Sequence, residues 1–242
     1  MKLILEAYLN TPSGCDGGNI AGNNWIFAIE HGGKANLSDY DNLKIDHEHG
    51  AVPDDEVAKF IDAYPFNQRI AKFEAIKHGW AIEDYLAFSL RSAIFTRNSQ
   101  YYKGNIGGLQ FQFDDQKSYE EIGSKIGIQT KEELKSFEIE IREKMFQRWT
   151  IENNPNCIIC VGTSDASRFI RAFSDRQESS ECWSNLEGFN YYSEIIREGK
   201  TAFFILPHPT ARFGNGMTND HRIEIYAKMV RSTMLNSGLN IY

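Results

Sequence analysis

The run Phe203-Phe204-Ile205-Leu206-Pro207-His208-Pro209-Thr210 decides how this chain is read. An apolar segment of strand length ends in a histidine held between two prolines. Each proline fixes its own φ and pushes the residue before it toward extended geometry. His208 is therefore expected to leave the strand at a set angle and to present its ring beyond the sheet edge. Active sites of α/β proteins are built there, outside the carboxyl ends of the strands. The plain alternative is a structural imidazole in a tight turn, and the rest of the chain weighs between the two.

Working outward, four short apolar segments have the length of buried strands: Trp25–Ile29, Ala93–Thr96, Cys157–Val161 and Ala202–Leu206. Helical stretches fill the intervals. Thr130-Lys131-Glu132-Glu133 forms a capping box. Leu134, Phe137, Ile141, Met145 and Trp149 then recur at spacings of three and four, which makes one apolar stripe. Asn153-Asn154-Pro155 ends that helix, and the Cys157 strand follows. Ser164 or Asp165 can cap a short helix carrying Phe169, Ile170 and Phe173. Asn219 or Asp220 can cap a last one through Ile223, Tyr226, Met229 and Val230.

Strands alternating with helices imply a mostly parallel sheet covered on both faces. The expected fold is a three-layer α/β/α sandwich with a central four-stranded, mostly parallel sheet, in one domain over residues 1–242. Its strands run into Glu30-His31-Gly32-Gly33, Arg97-Asn98, Gly162-Thr163 and His208. Four polar or glycine-rich ends would then meet at one sheet edge.

Bulk properties bound the rest. The 242 residues are 41% hydrophobic and 13% aromatic, enough for a substantial core, with only 6 prolines and no repeat or low-complexity tract. No apolar stretch approaches membrane-spanning length. The start, Met1 to Asn10, is too short for a signal peptide and carries Glu6, so a cytoplasmic protein is expected. The formal net charge of −7 argues against whole-surface affinity for nucleic acid and leaves room for a local basic patch. Cys157 and Cys160 form a C-x-x-C, but within a strand, where residues three apart point to opposite faces. Buried core thiols are the expectation, and Cys15 and Cys182 complete no metal set. Asp46-His47-Glu48-His49 looks metal-like, yet it lacks a helical i, i+4 histidine pair and reads as a solvated loop.

Taken together, these segments resemble the uracil-DNA glycosylase superfamily over roughly residues 24 to 231. Ala28-Ile29-Glu30-His31-Gly32 is similar to its first motif, commonly G-Q-D-P-Y or G-I-N-P-G, with Glu30 in the Asp/Asn position. His208-Pro209-Thr210 is similar to its H-P-S motif. Val161-Gly162-Thr163-Ser164-Asp165-Ala166 resembles a G-x-x-A strand end with one residue added, and Phe95-Thr96-Arg97-Asn98 resembles the strand whose Asn reads the pyrimidine edge. The sequence departs from the pattern at Ala28, His31 and Thr210, and the cysteines of the iron–sulfur branches are absent. The resemblance thus implies a monomer without metal or cofactor, with DNA as partner.

It also implies roles. Glu30 would stabilise an oxocarbenium-like centre and direct water, as carboxylates do in glycoside hydrolysis. A neutral His208 would donate to the pyrimidine carbonyl where anionic charge grows. Asn98 would bond the Watson–Crick edge, with His31, Gly32 and Tyr40 around the base. Lys34, Thr210 and Arg212 would touch the DNA backbone, while Phe213 or Met217 would wedge into the gap left by the flipped base. Gly32 stands where uracil-specific members place a tyrosine against C5, so uracil or a C5-modified pyrimidine, such as a hydroxymethylated or glycosylated base of viral DNA, is the expected substrate. Each residue has a structural alternative: Glu30 a solvated turn residue or cap acceptor, Asn98 a turn former, Phe213 and Met217 loop residues packed on the core. The rival functions are a non-catalytic relative that binds nucleic acid or protein, a hydrolase of free nucleosides or nucleotides, and a metal-dependent hydrolase using His47 and His49.

Overall fold

The computed structural model describes residues 2–12, 15, 17–28, 52–97, 99–109, 120, 123–174, 180–210 and 216–241. Its sheet is built from β1 (Gly17–Gly18), β2 (Asn24–Ala28), β3 (Tyr101–Asn105), β4 (Cys157–Val161), β5 (Trp183–Leu186), β6 (Phe189–Ile196) and β7 (Thr201–Leu206). The helices are α1 (Lys2–Leu9), α2 (Val57–Ala63), α3 (Pro65–Lys77), α4 (Tyr85–Arg91), α5 (Lys131–Asn153), α6 (Ala166–Phe173) and α7 (Asp220–Asn236).

Strand order is β1-β3-β2-β4-β7-β6-β5. This corrects the expected four-stranded, mostly parallel sheet. The sheet has seven strands and is mixed: β3-β2, β2-β4 and β4-β7 pair in parallel, and β1-β3, β7-β6 and β6-β5 are antiparallel. The antiparallel side is a double hairpin. Its turns lie at Glu187-Gly188 and Arg197-Glu198-Gly199, where φ is positive throughout and the tight reversal between twisted strands is allowed.

A second correction concerns Ala93–Thr96. This segment is a turn after α4, with positive φ at Ala93 (47°) and Phe95 (72°), which a strand cannot contain. Ile94 and Phe95 are apolar because they are buried against the helices of one face. The strand comes later, at Tyr101-Tyr102-Lys103-Gly104-Asn105, whose five residues are all buried. Gly104 is required by its neighbour: a Cβ there would collide with the Phe27 ring on β2.

Alternation along the central strands divides the core in two. Ile26, Ile159, Phe204 and Leu206 face α2, α3, α4 and α7; Trp25, Phe27, Ile158, Phe203 and Ile205 face α5 and α6. Burial on both faces explains why these strands read as continuous apolar runs. Cys157 falls in the first core and Cys160 in the second. Burial raises both thiols, Cys157 to about 12, so they are inert packing groups.

The helix ends follow their local chemistry. The Thr130 hydroxyl accepts from the Glu133 N–H at 3.1 Å, and the Glu133 carboxylate accepts from the Thr130 N–H at 3.3 Å. Asn154 closes α5 in the left-handed region at φ 46° before Pro155. Asn219 caps α7 by accepting from the Arg222 N–H at 2.9 Å. Among the described residues no helix is long and apolar enough to cross a membrane.

Candidate functional site

The parallel strands set the position of a candidate site. The chain leaves β2 for β3 through helices on the first face, whereas β3–β4 and β4–β7 are joined by α5 and α6 on the second. Connections from β2 and β4 thus diverge, which makes their carboxyl ends a switch point, the usual ligand position in doubly wound sheets. Gly162 directly follows the end of β4. Its φ of 125° is open only to glycine, and its N–H donates to the Leu206 carbonyl at 2.8 Å, tying the end of β4 to the end of β7. A 3-10 turn, Thr163–Asp165, leads into α6. There the Ser164 hydroxyl donates to Asp165 at 3.0 Å, and Arg168 stands 3.5 Å from the same carboxylate.

His208 follows the carboxyl end of β7, the strand beside β4. It is half-buried between the buried prolines 207 and 209. The Thr210 backbone N–H donates to Nδ1 at 3.2 Å, and the Thr210 hydroxyl lies at the same distance from that nitrogen. A backbone amide can only donate, so Nδ1 is the acceptor and, in the neutral ring, the proton is on Nε2. Burial, and then the Arg69 guanidinium, hold the imidazole below its ordinary value. The ring is therefore neutral near pH 7 and offers one N–H donor. Arg69 is itself anchored, donating to the Pro209 carbonyl at 2.6 Å.

The neighbours of His208 come from the start of α3, which in turn packs on β3. The Phe66 ring lies 5.6 Å from the imidazole, centroid to centroid. On β3, the Lys103 ammonium is 5.0 Å from the Phe66 ring centre, 5.5 Å from Phe95 and 5.8 Å from Phe60, and donates to the Asn67 side-chain oxygen at 2.8 Å. Rings and amide together compensate a cation inside an apolar core. Phe66 touches both Lys103 and His208, which makes one connected group. The sequence reading missed Phe66, Asn67, Arg69 and Lys103. A lysine at the centre of a buried strand is a signal, but only once β3 is placed correctly.

The loop after β3 is fixed from the second face. The buried Glu138 carboxylate accepts from the Gly108 N–H at 2.6 Å and the Leu109 N–H at 2.7 Å. Burial raises this carboxyl, against the pull of the Leu109 N–H and of Arg168 and Arg142. Arg142 spans further, donating to the Asn105 carbonyl at 2.8 Å and the Thr11 carbonyl at 3.0 Å. These groups hold backbone in place.

Of the residues singled out in the sequence, His208 and Thr210 meet at the carboxyl edge. Met217 is 1% exposed and packs with Ile223 in the first core. Glu30, His31, Gly32, Lys34, Tyr40, Asn98, Arg212 and Phe213 lie outside the described residues, as does the 46–49 cluster. Arg97 and Ser99, which flank Asn98, precede the amino end of β3 and do not follow the carboxyl end of a strand. Among the described residues no group of three His, Cys, Asp or Glu side chains is placed to hold a metal. Comparison with family models, curated proteins and solved structures finds no match to this chain.

Proposed function

We propose that the protein is a DNA glycosylase that hydrolyses the N-glycosidic bond of a flipped-out uracil or C5-modified pyrimidine, leaving an abasic site. The observation that carries this reading is the tautomer of His208. A neutral imidazole with its proton on Nε2, held at the carboxyl edge of the parallel strands, suits a donor to a base carbonyl that gains negative charge as the bond breaks. Such a donor needs no reorganisation during the reaction, because Thr210 fixes the ring beforehand.

In this reading Glu30, just beyond β2 in the chain, stabilises the sugar cation and directs water. Asn98, His31, Gly32 and Tyr40 surround the base, while Lys34, Thr210, Arg212 and Phe213 serve the DNA. The wedge role would then fall to Phe213, since Met217 is committed to the core. The enzyme works as a cytoplasmic monomer without metal or cofactor. Free nucleosides are the second reading, favoured by the net charge of −7.

Base release tests this. Purified protein in EDTA is incubated with duplexes containing uracil, hydroxymethyluracil or glucosylated hydroxymethylcytosine, and alkali reveals abasic sites. Product from one duplex, lost in Glu30→Gln and reduced about 100- to 1000-fold in His208→Ala, is expected. Cleavage of nucleosides but of no duplex selects the second reading. No product from either substrate, or full activity without the His208 ring, overturns the proposal.

A further inference from the structure

The opposite edge of the sheet carries a cleft, unrelated to His208. A cavity of about 400 Å³ opens at the amino ends of β2 and β3, within the size range of small-molecule pockets. Its floor is formed by Asn24, the first residue of β2, Tyr101, the first residue of β3, and the buried rings of His78 and Phe88. Trp80 and Arg91 stand at its rim, the guanidinium 5.8 Å from the centre of the indole.

The floor is polar, aromatic and without net charge. Tyr101 and His78 share a hydrogen bond of 2.9 Å between the phenol oxygen and Nε2. Behind them Lys77 and Glu74, both fully buried, pair at 2.6 Å and cancel each other's charge. Lys77 also donates to the Asn24 side-chain oxygen at 2.9 Å. That bond sets the amide orientation: the oxygen faces the ammonium, and the NH2 donors are left for the cleft that Asn24 lines. Burial lowers His78 and raises Tyr101, so both stay neutral near pH 7. Arg91 is then the one formal charge among the described residues that line the cleft.

We propose that this cleft binds a small anion built on a planar, carbonyl-bearing ring, of the nucleoside monophosphate class. The ring lies against the wall formed by Trp80 and Phe88, which pack edge to face on each other at 5.7 Å and 63°. A ring carbonyl accepts from the Asn24 NH2, and the anionic group meets Arg91 at the mouth. The preformed Glu74–Lys77–Asn24 chain supplies the donor without cost at the moment of binding.

Calorimetric titration with UMP, uridine and inorganic phosphate tests the assignment. Saturable binding of UMP is expected, weakened at least about tenfold by Arg91→Glu, a substitution of an exposed side chain, and unchanged in His208→Ala. Uridine and phosphate are each expected to bind more weakly than UMP. Uridine binding as tightly as UMP would remove the anionic half of the proposal, and phosphate alone doing so would remove the ring. No heat with any of the three, or UMP binding lost in His208→Ala and kept in Arg91→Glu, overturns the site.

Discussion

Two histidines sit at opposite edges of one sheet, both neutral, and are held in different ways. His208 is fixed by its own chain, through the Thr210 amide two residues on and a proline at either side. His78 is fixed by the hydroxyl of Tyr101, a strand residue remote in sequence, in front of a buried ion pair. A group held locally can be altered with little effect on folding, because the turn that positions it survives. A group held by a network cannot, because each member satisfies another. The carboxyl edge is thus suited to chemistry, and the amino edge couples its cleft directly to stability.

The largest effect should come from Lys77→Met, which strands the fully buried Glu74 carboxylate. A loss of about 3–5 kcal/mol in urea unfolding is expected, and a loss below 1 kcal/mol would break the contrast between the edges. His208→Ala should do the reverse, costing base release the 100- to 1000-fold given above while unfolding changes by less than about 1 kcal/mol. Tyr101→Phe removes only an oxygen, yet leaves the buried His78 without that partner. About 1–3 kcal/mol is expected from thermal unfolding. Thr210→Val is the matching change at the other edge. It keeps the backbone N–H on Nδ1, so a cost of about 0.5–1 kcal/mol and an unchanged Nε2–H signal in histidine ¹⁵N spectra are expected.

Acid sharpens the same comparison. Both imidazoles titrate below the ordinary histidine value, so as pH falls the unfolded chain takes up their protons first. The stability gained by keeping them neutral is present above about pH 6.5 and is lost as pH drops through their folded values. Unfolding free energy should therefore rise with pH from about 5 to 7, with a shallower slope in His208→Gln. An identical slope would mean that His208 is not desolvated.

What the sequence disclosed follows the same division. His208 was legible because Pro-His-Pro is a local constraint, and the Thr130 capping box was legible for the same reason. β4 was placed residue for residue at Cys157–Val161, since a doubly buried strand announces itself as an unbroken apolar run. β3 was not. Its Lys103 is compensated by three rings and an amide from α2, α3 and the turn before it, and its Gly104 makes sense beside Phe27. Ile94 and Phe95 imitated a strand because helix-side burial also selects apolar residues, and their backbone geometry leaves no trace in composition. The β5–β6 hairpin passed unread although Glu187-Gly188 offers a turn and Tyr192, Glu194 and Ile196 alternate inward. A buried glutamate in that alternation, paired with Ser174 and Tyr192, masked the period of two. The Glu74–Lys77–Asn24 chain was illegible in principle, because Asn24 meets the helix pair only through the topology.

The placement of Cys157 and Cys160 in opposite cores has a consequence for how the chain can be handled. Three residues apart in sequence, the two sulfurs lie on different sides of a sheet and cannot meet while β4 is formed. A 157–160 disulfide requires that the centre of the molecule first come apart. Mild oxidant is therefore harmless to that pair in the native protein, and the appearance of this one crosslink records each molecule that has opened.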